Sequence, residues 1–522
     1  MSTQRPVGQV HLQRMARSGG LSVVGAGVSA VSGVALVAIV TNGYPKNDAG
    51  MFFATTALFL IAASIVQLGT EVGLVRFLPA QIATGRVRDV LPTLRLAVLP
   101  VAALSVTAAV AGFAIAPQVA GLVAGEANAE AVSDQLRALA VLLPVGAVYH
   151  LALAGTRGFR TMRPTVLVDA FGLNLVQLAG VAAVSALGIG VLGLVLAWSV
   201  PYLLGLAAAA LWLLLLLRRL RRTAGARGAA PPRSPGLAAD FWRYTTPRAV
   251  TNVLQTMLKR SDIVLVAALR SPAEAALYTA ATRFVVFGQL AVQALQQALG
   301  PQLSALFARD EHDEAQTVYQ TVTAWSMSLA WPIYLACAVF APQLLGFFGA
   351  GYADAAVVVV VLSLAMLFAT GAGSVDTVLL MSGRSMLSLV NVSAALAVNI
   401  GLNLVLIPRL GIAGAAYSWA LAIVLRNLLP LLEVRYLLRM SPLGSGTVWV
   451  GASALLCLGV LPGALALLGA PLAATVAAFG VGLVVYLGLL WAGRERIELA
   501  AFRGTLLRRG SGRPVAAQQE AE

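Results

Sequence analysis

The chain has 522 residues, 59% of them hydrophobic and only 11% charged, with a net charge of +15. A soluble protein of this length carries about 25% charged residues, so composition excludes a soluble globular fold and points to a polytopic membrane protein. The positive charge is almost all arginine in short loops between apolar stretches, which excludes nucleic acid as a partner. Cys337 and Cys457 lie inside such stretches, so no disulfide framework, Cys/His metal site or cofactor is expected.

Residues 1–19 are polar and basic and read as a cytoplasmic segment. The apolar run that follows is long enough to span, and reads as an uncleaved first helix rather than a signal peptide. Apolar windows of about 20 residues fall near 20–41, 49–69, 91–116, 135–155, 164–186, 189–217, 244–268, 275–299, 319–341, 353–373, 386–407, 412–434, 445–467 and 471–492. Fourteen transmembrane helices are therefore predicted.

The loops after spans 2, 4, 6 and 12 carry arginine, as do both termini, whereas the opposite loops hold only Lys46, Arg137, Arg270 and Arg409. The positive-inside bias places both termini in the cytoplasm, and a bacterial-type plasma (inner) membrane is the expected location. The acidic 309–314 loop falls on the inside, where carboxylates count little. Residues 224–236 read as a flexible linker, 301–316 as a short interfacial helix and 510–522 as disordered.

The chain repeats itself weakly. Residues 48–52, DAGMF, open span 2 as 274–278, EAALY, open span 8, and GLNLV occurs at 172–176 and again at 401–405. Six spans separate the copies, so both halves enter the membrane in the same sense. The expected fold is all-α, with two six-helix lobes related by a pseudo-twofold along the membrane normal. The lobes are 20–217 and 244–438, joined by a basic linker at 218–243. Two extra helices occupy 439–493, and 494–522 is a cytoplasmic tail.

Span 7 carries a polar stripe. Arg248, Asn252, Gln255, Lys259 and Asp262 are spaced 4, 3, 4, 3, which puts them within an arc of about 80° over about 21 Å of helix. A charge facing lipid at mid-depth costs about 2.5–3.5 kcal/mol on insertion scales. The stripe should therefore line a water-filled cavity between the lobes or a polar seam between helices. On span 8, Gln289, Gln293 and Gln296 share one face, and Gln297 adds an amide.

The segments DAGMF (48–52), VRFLP (75–79), RSDIVLVAALRSPAEAALY (260–278) and NIGLNLVLIPRLGIAGAA (399–416) carry a resemblance. Over roughly residues 20–490 the chain resembles the polysaccharide-export branch of the multidrug/oligosaccharidyl-lipid/polysaccharide flippase superfamily. The resemblance implies a carrier without a catalysed covalent reaction. Its cargo would be a polyprenyl-diphosphate-linked oligosaccharide, moved from the inner to the outer leaflet for cell-surface polysaccharide, including lipopolysaccharide, biosynthesis. Glycosyltransferases or a polymerase of the same pathway are the implied protein partners, and membrane lipid the surrounding one. A drug/cation antiporter of the same superfamily and a peptidoglycan-precursor flippase are the alternatives.

The chemistry of the stripe agrees with that cargo. Guanidinium groups pair bidentately with phosphate oxygens, and amides with sugar hydroxyls. Asp262 is expected to pair with Lys259 one turn away, or else to be a proton or cation site. Arg283 is a candidate for the substrate-binding cavity, or else caps a carbonyl or pairs with Asp262. Arg76 reads as an entrance phosphate ligand or an ordinary loop arginine, with Glu71 as its partner. Asp169 and Asp376 are candidate coupling carboxylates, His150 a core histidine, and Arg426 and Glu433 structural residues.

Overall fold

The computed structural model describes residues 7–225 and 236–498, with side chains from residue 24 onward apart from 223–225, 290, 291, 294, 297, 298 and 301. The expected linker at 224–236 and tail at 510–522 lie essentially outside the described residues. Among the described residues all regular structure is helical.

The first half runs through α1 (Val7–Gly43), α2 (Lys46–Val66), α3 (Thr70–Ala83), α4 (Val87–Ala124) and α5 (Ala129–Gly158). A π-helical turn over Thr165–Leu173 then opens α6 (Asn174–Ala186), and α7 (Val191–Ser199) and α8 (Pro201–Gly225) follow. The second half holds α9 (Leu237–Leu269), α10 (Pro272–Phe307), α11 (His312–Val339), α12 (Ala341–Gly346), α13 (Ala356–Gly371), α14 (Val375–Met381), α15 (Ser385–Leu410) and α16 (Ile412–Leu437). The last pieces are α17 (Ser445–Ala454), α18 (Leu461–Leu467) and α19 (Leu472–Ala492).

Among the described residues, twelve helical segments are long and apolar enough to cross a membrane. The two other expected crossings are α9 and α10, of 33 and 36 residues. Polar side chains along α9 keep it out of a purely apolar count. The fourteen-helix expectation agrees with this arrangement. Two details differ from it. Helix α1 begins at Val7, well before the apolar window at 20, and α10 runs unbroken to Phe307, so no separate interfacial helix fills 301–316.

The packing repeats between the halves. Helix α1 lies on α6 as α9 lies on α15, α5 packs on α8 as α13 packs on α16, and α2 touches α5 as α10 touches α13. Helices α2, α9 and α10, with α1 against α10, form the contact between the halves. Helix α17 sits on α11, outside this frame. Apolar side chains such as Val106, Val110 and Phe113 on α4, or Val481 and Val484 on α19, stay exposed because lipid, not protein, covers them.

Two glycines permit the close approach of α2 to the second half. A Cβ on Gly50 would stand 1.6 Å from the Pro272 carbonyl oxygen at the start of α10. Gly69, at φ +64° in the break between α2 and α3, leaves 2.6 Å between such a Cβ and the Ala249 nitrogen of α9. At the edge of the bundle near Gly50, Asn42 Nδ2 donates to the Phe347 carbonyl at 3.1 Å and Lys46 Nζ to the Gly351 carbonyl at 3.1 Å. These bonds tie the first half to the loop after α12.

Candidate functional site

Helix α9 is the spine of the site. Its face meets α2 and α3 at one end and α15 at the other. Near its start, the Tyr244 ring takes the Arg76 guanidinium at 4.2 Å and the Arg248 guanidinium at 4.6 Å. Phe77 packs against both Tyr244 and Phe241. Arg76 and Arg248, both exposed, are therefore brought together from opposite halves by one aromatic ring. Glu71 does not pair with Arg76 as expected. It bonds Arg157 at 3.3 Å, because α3 packs on α5 and turns Glu71 that way.

Farther along, Asn252 is exposed and Gln255 half-buried. The stripe then divides. Lys259 remains exposed and lines a polar cavity of about 260 Å³. Asp262, 2% exposed, turns into the protein, where Tyr278 Oη donates to it at 2.9 Å and Asn403 Nδ2 at 2.6 Å. The expected Lys259–Asp262 pair is absent among the described ion pairs. A buried carboxylate needs fixed donors at short range, which the neighbouring helices supply, whereas an ammonium on a long stem keeps its hydration in the cavity.

The walls of this cavity come from α9, α10, α11, α13, α14 and α16, so it lies within the second half. Gln289, Gln293 and Gln296 reach it from α10, as the shared face required. The Gln297 side chain lies outside the described ones. Arg426, expected to be structural, also lines it and stands close enough to Lys259 for the two charges to repel. Glu433, also expected to be structural, accepts from Asn391 Nδ2 at 2.7 Å.

Arg283 caps a carbonyl, its Nε donating to Thr279 O at 3.3 Å, and does not reach Asp262. Beside it stands Arg260, a residue the sequence reading passed over. Arg260 also lies near Tyr202 of the first half. It follows Lys259 directly and sits about 120° around the helix from Arg248, so attention to a single stripe hid it. Among the described residues Arg76, Arg248, Lys259, Arg260, Arg283 and Arg426 form no ion pair.

The two other candidate carboxylates are satisfied locally. Asp169, in the π-helical turn, accepts from Tyr149 Oη at 2.9 Å, and Asp376 accepts from Ser388 Oγ. His150 packs between Tyr149 and Tyr202, in keeping with a core histidine.

The two halves of the bundle repeat their packing, and cations that form no ion pair among the described residues lie along and beside their contact. Residues 247–405 match the MatE family model. The chain is 24% identical over 240 residues to a probable low-salt glycan biosynthesis flippase, Agl15, of Haloferax volcanii, covering 44% of this chain. It spans about half, 49%, of that relative's length.

Among solved structures, the lipid II flippase MurJ in an inward closed conformation superposes with a TM-score of 0.69 at 11% identity, over 93% of this chain and 99% of that one. An inward-facing multidrug resistance MATE family transporter gives 0.62 at 15% identity, over 79% and 94%. At such identities these likenesses concern the fold. The chain is thus a multi-pass membrane protein with a transporter fold, and its resemblance to the multidrug/oligosaccharidyl-lipid/polysaccharide flippase superfamily holds.

Proposed function

We propose that the protein is a flippase for a polyprenyl-diphosphate-linked oligosaccharide used in cell-surface polysaccharide biosynthesis, working by alternating access with both termini cytoplasmic. The observation that carries this reading is the set of basic side chains at or near the contact between the halves that form no ion pair among the described residues, Arg76, Arg248, Arg260 and Arg283. Charges so placed in a membrane protein are costly unless hydrated or waiting for an anion, and a diphosphate is that anion. The glycan flippase relative supports the cargo class.

Arg76 and Arg248 receive the diphosphate at the end of the bundle where α3 meets α9, since each already carries its charge against the Tyr244 ring rather than against a carboxylate. Arg260 and Arg283 continue the positive field deeper. Asn252 and Gln255 offer amides to sugar hydroxyls, and the polyprenyl tail remains in lipid. Rocking of the halves about the α2–α9–α10 contact then exposes the site to the other leaflet.

The test is leaflet-resolved transport of a lipid-linked oligosaccharide in vesicles containing the purified chain. Arg248→Ala should lower the rate at least about tenfold with insertion and folding intact, and Arg248→Lys should recover part of it, since an ammonium lacks the bidentate fork. A wild-type rate for Arg248→Ala overturns the proposal. Export of an organic cation by the same vesicles would favour the antiporter reading, and transport of lipid II alone the peptidoglycan-precursor reading.

A further inference from the structure

Of the six cations named above, Arg76, Arg248, Arg260 and Arg283 stand at or near the contact between the halves, and Lys259 and Arg426 do not. Lys259 and Arg426 both line the cavity inside the second half, close enough for their charges to repel. Among the described residues the only carboxylate lining that cavity is Asp376, which already accepts from Ser388 Oγ. The formal balance of its wall is therefore two cations against one anion, a net of one positive charge.

The remaining polar wall is unlike a phosphate cradle. Gln289, Gln293 and Gln296 present carboxamides along one face of α10, and Asn427 faces them from α16. Each carboxamide both donates and accepts, which suits a ring of hydroxyls and is wasted on a phosphate that only accepts. Trp419, half-buried, contributes a flat indole to the same wall. A saccharide ring has an apolar C–H face that packs on such a surface while its hydroxyls take the amides. The volume of about 260 Å³ fits a small ligand group, not a whole oligosaccharide.

Resting on the flippase reading, we propose that this cavity is a specificity subsite for one sugar of the cargo, and that it selects a sugar bearing a carboxylate, of the hexuronic acid type. Arg426 and Lys259 take the carboxylate, the glutamines and Asn427 take the ring hydroxyls, and Trp419 supports the ring. The diphosphate is bound elsewhere, at the contact between the halves. Recognition of the glycan and recognition of its anchor are thereby separate, and the glycan's acidic sugar is held by one half of the carrier alone.

The experiment compares two lipid-linked oligosaccharides that differ only in whether one hexose carries a carboxylate or a hydroxymethyl group, in vesicles with the full chain. The wild type should move the acidic cargo about tenfold faster, the worth of one charge-assisted contact. Arg426→Gln should bring the ratio of the two rates close to one. Equal rates in the wild type, or a ratio that survives Arg426→Gln, overturn the subsite.

If neither lipid moves in the wild type, the flippase reading fails, and the subsite is judged by binding. Saturation-transfer NMR on the purified chain should then show contact with free hexuronate, lost in Arg426→Gln and not displaced by inorganic diphosphate. Absence of that contact, or its displacement by diphosphate, overturns the proposal.

Discussion

Lys259 and Asp262 stand one helical turn apart and end in different surroundings. Spacing alone made them a pair, but Asp262 has better partners in Tyr278 and Asn403, the latter 141 residues away in the chain. Asn403 is itself buried and close to the Asn399 side chain at 3.3 Å. Removing one donor from a buried carboxylate leaves it undersolvated, at a cost of about 1–3 kcal/mol. Asn403→Ala should therefore lower the thermal unfolding temperature of the purified protein, while Asn403→Ser retains part of the stability by keeping a donor. Unfolding temperatures unchanged in Asn403→Ala would mean that Asp262 is satisfied without it.

At the scale of elements, the sequence carried the α9 stripe and the α10 glutamine face plainly, because both are periodicities within one helix. Arg248, Gln289 and Gln293 therefore stood out from their spacing. What pairs with what did not stand out. Glu71 meets Arg157 rather than Arg76, and Arg426 lines the same cavity as Lys259, because such neighbours depend on which helix faces which across the bundle. The Arg76–Tyr244–Arg248 stack was half legible: the arginines were candidates, but nothing local marks Tyr244 as the ring between them.

The α2–α10 crossing shows the same limit, since Gly50 looked like any helical glycine. It is the point at which α2 touches the Pro272 carbonyl, with no room for a side chain. Gly50→Val should force the helices apart and cost about 1–3 kcal/mol as an overpacked contact. The corresponding change at Gly27, where a Cβ would meet nothing within 4 Å, should be tolerated. Equal thermal stability of the two variants would contradict this packing.

At the scale of the whole molecule, the halves are bridged at both ends of their contact, by Asn42 and Lys46 at one and by the Tyr244 stack at the other. The alternating access proposed above requires that each bridge open in turn. The chain with Asn42→Cys and Phe347→Cys, in a background with Cys337 and Cys457 replaced by alanine, should be joined by a cleavable bifunctional thiol reagent, stop transporting, and resume when the reagent is cleaved. Full transport while cross-linked would show that the halves do not part at that end.

The Asn42 and Lys46 bridge has an evolutionary signature of its own. Its donors are side chains, but its acceptors are the main-chain carbonyls of Phe347 and Gly351. Every amino acid brings the same carbonyl, so the accepting rim can change its side chains without breaking the bond, and the donating rim cannot. In a collection of related sequences, positions 42 and 46 would be constrained while position 347 drifts. The two sides would show no correlated substitution, and a contact map inferred from covariation would leave this junction blank.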